Sequence, residues 1–284
     1  MYEDNQEESK RVQDYFAKDL LREKVCVITG GGTGLGRATA IAFGELGAHV
    51  VVCGRRPEPI ESTVDMIRTA GGSAWSSTLD IRDDNSVDDF IDQVLQKFGP
   101  IDVLVNNAGG QFHSPAENIT SKGYRTVIDL NVMGTWNMTR SVAVKSMIPG
   151  GGGRILNVTL SPHNGVPLMV HAAASRAAVE SMTKTLSIEW ARHGITVCAL
   201  AAGTMKTDTL YTKYPSAVGP MIDNVQPLGR PGTETEWASF LAFMASNAAD
   251  FFTGCVLTMD GGRDNYPSVF PPPGMPPEML EAFR

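Results

Sequence analysis

A short run early in the chain has the composition of a phosphate cradle: Thr29-Gly30-Gly31-Gly32-Thr33-Gly34-Leu35-Gly36. Gly30, Gly34 and Gly36 stand at TGxxxGxG spacing, and Gly32, Thr33 and Leu35 complete the loop. Glycines let the backbone turn tightly and approach a pyrophosphate. A helix opening directly behind them aims its N-terminal amides and positive dipole end at the same charge. A second informative position ends the next apolar run, Cys53-Gly54-Arg55-Arg56. Sites that grip a ribose 2′-hydroxyl place a carboxylate there. Two guanidinium groups instead match a 2′-phosphate, which a carboxylate repels. The pattern implies an NADP(H) site, with Arg55 and Arg56 on the phosphate and Arg37 close by.

The elements that must carry these residues follow from periodicity. Lys24–Thr29, Ala48–Cys53, Ala74–Leu79, Ile101–Val105, Arg154–Val158, Ile195–Leu200 and Cys255–Met259 read as strands. Helical patterns near 34–46, 58–70, 84–98, 120–147, 171–192 and 234–246 separate them. Continuous apolar strands are covered on both faces, which marks a parallel sheet. Right-handed crossovers then give a doubly wound α/β fold, a seven-stranded parallel sheet of the Rossmann type with helices on both faces. Residues 1–284 read as one domain, because α/β domains routinely exceed 200 residues. Its core runs from about 22 to 263, between a charged N-terminal segment with the makings of a short surface helix and a proline-rich tail (265–284) that should run extended.

Composition removes several function classes. The chain has 284 residues and a formal net charge of -7 with no basic block, so neither nucleic acid nor an anionic membrane is a natural partner. No stretch approaches the ~18 uninterrupted apolar residues of a membrane span. The acidic start MYEDNQEESK does not resemble a signal peptide. The four cysteines, Cys26, Cys53, Cys198 and Cys255, fall in strand-like runs without CxxC spacing and read as reduced core residues of a cytoplasmic protein. The histidines are scattered, so no metal site is implied.

With these motifs in order, the chain resembles the short-chain dehydrogenase/reductase family over about residues 22–263. The resemblance is carried by the glycine loop, Leu79-Asp80-Ile81, Asn106-Asn107-Ala108-Gly109, Asn131, Pro227-Leu228-Gly229-Arg230 and Thr253-Gly254…Asp260-Gly261-Gly262. It implies that Asp80 and Ile81 border an adenine, and that Asn107, Ala108 and Gly109 run along the cofactor. It further implies that Gly203 and Met205 bind the cofactor, that Asn131 holds a water, and that the protein is a homo-oligomer, by family expectation a tetramer. The family's Tyr-x-x-x-Lys pair is missing: Ala172 stands at the Tyr place, Arg176 at the Lys place, and Leu160 near the Ser place. Glu180-x-x-x-Lys184 repeats the spacing two helical turns on and reads as an ion pair.

That departure bears on chemistry. Ketone reduction leaves an alkoxide that needs a tuned acid, and alanine cannot donate. Reduction of an enoyl thioester asks only that an enolate oxygen be hydrogen bonded. Arg176, a permanent cation, serves as an electrostatic group and as a ribose ligand. The segments Asn106–Glu117 and Pro167–Arg176 are similar to peroxisomal trans-2-enoyl-CoA reductases and, more loosely, to 2,4-dienoyl-CoA and alicyclic enoyl-CoA reductases. The catalytic candidates are therefore Asn131, Arg176, Thr159 and His171, with Ser161 beside Thr159. Gln111, His113 and Ser114 are candidates for the substrate cavity, and Lys206 and Tyr211 for its lid. The reading is an NADPH-dependent reductase of the double bond of a 2-enoyl thioester. The alternatives are a reductase of another carbonyl, imine or polyketide-type substrate, and a non-catalytic NADP(H)-binding protein.

Overall fold

The computed structural model describes residues 11–161, 163–207 and 226–266. Seven parallel strands form one sheet: β1 (Val25–Thr29), β2 (His49–Gly54), β3 (Ser73–Thr78), β4 (Val103–Asn106), β5 (Gly153–Leu160), β6 (Ile195–Ala202) and β9 (Val256–Met259), in the order β3-β2-β1-β4-β5-β6-β9. The chain winds outward from β1 in one direction and from β4 in the other, so the crevice between them is the switch point where ligands of doubly wound sheets bind. Register is regular across it: Ile28 pairs with Val52 on one side and Val105 on the other. A short parallel pair, β7 (Met205–Lys206) with β8 (Gly232–Thr233), lies beyond β6.

Alternation along the strands divides the core into two layers. Cys26, Ile28, Val50 and Val52 pack on one face, beneath α1 (Gly34–Glu45), α2 (Pro57–Thr69) and a late helix with Trp237 and Leu241. Val25, Val27, Val51 and Leu104 pack on the other with Val94 and Met138. This second face is covered by α3 (Asp84–Phe98), by α4, a helix spanning 121–150, and by α5 (Val170–Trp190). The late helix is α6 (Glu234–Ala245), opened by a capping box in which Thr233 and Glu236 satisfy each other's backbone N–H groups. Each such buried aliphatic side chain stabilises the fold by roughly 1.5–3 kcal/mol. The four cysteines are free.

Some expectations change in the structure. The helix expected before β1 is, in its described part, a single turn at Val12–Asp14, and Val12 and Leu21 are buried in the core rather than solvated. Helix α4 is not uniform: π-turns at Asp129–Met133 and Ala143–Met147 widen it. Cys255 precedes its strand by one residue, and its Sγ lies 3.4 Å from that of Cys198. Glu180 does not pair with Lys184. Its carboxylate turns instead to His163 at 3.0 Å, because this face of α5 is buried against the loop that follows β5. Tyr211 and the proline-rich tail lie outside the described residues.

Candidate active site

The C-terminal ends of six strands surround one cavity of about 930 Å³. Its floor is stapled where β1 and β4 separate. Thr29 Oγ1 accepts from the backbone N–H groups of Asn107 (3.0 Å) and Ala108 (2.9 Å), and Asn107 Nδ2 donates to the Thr29 and Gly30 carbonyls at 3.0 and 3.3 Å. Gly30 adopts φ +66°, and a Cβ on Gly36 would come within 2.5 Å of the Gly30 carbonyl oxygen. The loop therefore needs glycine at both places, one for its backbone angle and the other for close approach. It runs directly into the N-terminus of α1, whose first amides face the cavity mouth.

The cavity gathers most of the residues singled out from sequence. Gly30, Gly32, Thr33, Gly34, Leu35 and Gly36 form one wall. Arg55 and Arg56 stand at the β2 end, and Asp80 and Ile81 at the β3 end. Asn107, Ala108 and Gly109 follow β4, Thr159 and Ser161 end β5, and Gly203 and Met205 follow β6. Asp80 is paired with Arg82, whose hydrogen bonds hold its carboxyl below the usual range. Gln111 and His113 also reach the cavity; Ser114 and Lys206 do not border it.

The wall formed by β5 and α5 carries the chemistry. Ala172 lines the cavity, and Arg176 follows one turn later. Arg176 Nη1 donates to the Val158 carbonyl at 2.8 Å. Burial pushes its guanidinium down to about 10, with Glu180 opposing the shift, so the group remains charged at neutral pH. Gly109 makes room for it, since a Cβ there would lie 2.1 Å from Arg176 Nη2. Thr159 is 3% exposed, and its Oγ1 has no hydrogen-bond partner among the described residues. A buried hydroxyl at a cavity wall with an unused donor is a ready ligand for an incoming oxygen.

Asn131 and His171 are not at the cavity wall. Asn131 sits in the first π-turn of α4, where its amide is fully engaged: Oδ1 accepts from Gly110 N–H (2.9 Å), while Nδ2 donates to the Gly110 carbonyl (3.1 Å) and Ser175 Oγ (2.9 Å). It ties the loop after β4 to α5. His171 is fully buried in the first turn of α5, its ring tilted at 44° against Phe112 with centroids 4.2 Å apart, and both ring nitrogens lack partners among the described residues. Burial, then the neighbouring His113, pushes its pKa down, which favours the neutral ring.

A cluster that sequence reasoning did not assemble lies beside this wall. The Ser161 hydroxyl donates to Asp260 Oδ2, which also accepts from the Asp264 N–H at 2.7 Å. Asp260 belongs to a Gly-Gly motif noted above, but its closure onto Ser161 spans 99 residues and no local pattern marks it.

These features, a doubly wound sheet with a glycine-loop crevice and a helix-borne cation beside it, define a dinucleotide-fold protein. Residues 24–216 match the family model described as short chain dehydrogenase, and the chain belongs to that family. It is 36% identical over 249 residues to a probable 2,4-dienoyl-CoA reductase [(2E)-enoyl-CoA-producing] of Bacillus subtilis, covering 86% of this chain and 97% of the relative. It is also 36% identical over 251 residues to the peroxisomal 2,4-dienoyl-CoA reductase [(3E)-enoyl-CoA-producing] of Mus musculus, covering 87% and 86%. Among solved structures, a gluconate 5-dehydrogenase from Burkholderia cenocepacia in complex with NADP and tartrate superposes with a TM-score of 0.82 at 30% identity, covering 88% of this chain and 98% of that one.

Proposed function

We propose that this protein is an NADPH-dependent reductase of a carbon–carbon double bond conjugated to an acyl thioester, a 2-enoyl- or 2,4-dienoyl-CoA. The observation that carries the proposal is the make-up of the β5–α5 wall. It offers two groups for a developing oxyanion, Thr159 Oγ1 and the Arg176 guanidinium, and alanine where a carbonyl reductase needs its acid. The names of the relatives support the same substrate class.

The cavity residues fit the cofactor. The glycine loop and the first turn of α1 would hold the pyrophosphate. Arg55 and Arg56 would hold the 2′-phosphate, and Asp80 with Ile81 the adenine. Asn107, Ala108, Gly109, Gly203 and Met205 would flank the nicotinamide half, with Arg176 on its ribose. NADP(H) supplies the hydride when bound. Thr159 donates to the thioester oxygen, and Arg176 adds positive charge, so that enolate character at that oxygen is stabilised. The proton for the α-carbon would come from water, since the Ser161 hydroxyl is already given to Asp260. Asn131 acts by holding Gly110 and Ser175 in place, and His171 by bracing Phe112.

We further infer one domain acting as a homo-oligomer, by family expectation a tetramer. Ile188 and Phe251, 79% and 103% exposed, give it apolar surface to cover. The free cysteines, three of them buried and Cys255 partly so, fit a reducing compartment such as the cytoplasm. The test is NADPH and NADH oxidation with 2-enoyl-CoA, 2,4-dienoyl-CoA and a matched 3-ketoacyl-CoA. Turnover of the conjugated thioesters with NADPH, and not of the ketone, is expected. Turnover of the ketone alone overturns the proposal.

A further inference from the structure

One histidine of the loop following β5 is held between two carboxylates that reach it from different parts of the chain. His163 Nδ1 lies 2.5 Å from Asp264 Oδ2, and its Nε2 lies 3.0 Å from Glu180 Oε1. Asp264 also accepts from the His163 backbone N–H at 2.6 Å, and its carbonyl accepts from Asn164 Nδ2 at 2.8 Å. The Asp264 N–H donates inward to Asp260, which holds Ser161. Val166, Pro167 and Met169 from the same loop give the cavity an apolar border, and Arg263 from the turn after β9 borders it too. Loop, turn and α5 thus meet at a single ring.

The hydrogen-bond inventory decides the charge of that ring. A neutral imidazole has one donor and one acceptor, so it would set a lone pair against one of the carboxylates. Only the imidazolium donates to both. Burial pushes the His163 pKa down, but the hydrogen bond to Asp264 and the charge of Glu180 outweigh it and hold the pKa above the ordinary value. The surrounding charges are accounted for. Helix α5 presents Glu180, with Arg176 one turn earlier drawn to the Val158 carbonyl. The turn presents Asp264 and Asp260, while Arg263 reaches Thr204 Oγ1 at 3.2 Å.

We propose that His163, clamped as an imidazolium between Asp264 and Glu180, is a positioning residue for the acyl end of the cavity. It fastens loop residues 163–169 to the turn after β9 and so fixes the apolar wall against which the acyl chain lies. This assignment of the wall rests on the function proposed above. With a raised folded-state pKa, the clamp is complete below the ordinary histidine value of 6.5 and is lost as pH rises through the raised value.

The experiment combines two readouts that need no turnover with one that does. His163 is titrated by NMR in the NADP-bound protein, and amide exchange of residues 163–169, corrected for intrinsic rates, is followed from pH 6 to 9. KM for a 2,4-dienoyl-CoA is measured over the same range. The expected result is a His163 pKa above 6.5, lowered in Glu180→Gln and Asp264→Asn. Loop exchange should quicken, and KM rise, as that group deprotonates. His163→Gln should raise KM about tenfold at neutral pH, the loss of a charge-assisted bond, with a smaller fall in kcat and no alkaline limb. NADPH affinity should stay put. A His163 pKa at or below 6.5, or a His163→Gln protein with wild-type loop protection, overturns the clamp. If no acyl thioester is turned over, the function proposed above fails while titration and exchange still decide the clamp. If His163→Gln does not fold, Glu180→Gln and Asp264→Asn decide it on the same readouts.

Discussion

Replacing Thr159 with valine should move stability and activity in opposite directions. The side chain is 3% exposed, and its hydroxyl is buried without a partner among the described residues. Leaving such a group unpaired costs about 1–3 kcal/mol, and valine keeps the branched shape while removing the polar atom. Thr159→Val is therefore expected to gain about 1 kcal/mol, or about 2 °C in Tm for a chain of this size. On the proposed mechanism the same change removes a donor to the reacting oxygen. Losing one oxyanion donor costs about 10²–10³-fold in kcat, roughly 2.7–4 kcal/mol. Thermal unfolding without substrate gives the first number, and NADPH oxidation at saturating conjugated thioester gives the second. A variant with wild-type kcat would refute the oxyanion role. A fall in Tm of several degrees would show that the hydroxyl has a structural partner after all.

Three further outcomes are expected. Ala172→Tyr restores a phenol one helical turn before Arg176, and it should create measurable reduction of a 3-ketoacyl thioester; no gain in a folded, NADPH-binding variant would count against the missing acid as the reason for substrate choice. Gly109→Ala puts a Cβ 2.1 Å from Arg176 Nη2, the far end of a flexible side chain, so the fold should survive while the guanidinium shifts and affinity for NADPH falls about tenfold, readable by fluorescence titration. At the start of α6, the hydrogen bond from Arg230 is the main cause holding the Glu236 carboxyl down at about 2. The folded-state pKa is depressed, so the stabilisation is present above the unfolded value of about 4.5 and is lost as pH falls toward 2. Glu236→Gln should then cost about 1 kcal/mol near neutrality, allowing for the solvent screening of a part-exposed pair, and almost nothing at pH 2, as chemical denaturation at the two pH values would show.

Much of the cofactor side was written locally. The glycine loop is a contiguous run whose spacing follows from the dimensions of a phosphate and a helix end. The residues after β2, β3 and β4 are found by counting to the end of each apolar run, because in a parallel doubly wound sheet every such end faces the same crevice. That Ala172 carries no proton donor is likewise visible in one line of sequence. Strand and helix order needed only periodicity, since strands buried on both faces read as unbroken apolar runs.

What the chain did not reveal by itself is where polar side chains turn once the layers close. The type of Asn131 marks it as a candidate, yet packing of α4 against α5 consumes its amide on Gly110 and Ser175 and keeps it from the cavity wall. Glu180 and Lys184 have ion-pair spacing, but burial of that face of α5 redirects the carboxylate to His163, a partner 17 residues away. Ser161 meets Asp260 across 99 residues, and His163 meets Asp264 across 101, because β5 and β9 end on the same edge of the sheet with β6 between them. Local spacing fixes which residues a single element presents. Which of them meet depends on strand order and on the burial of one face against another, and these arise only when the layers pack.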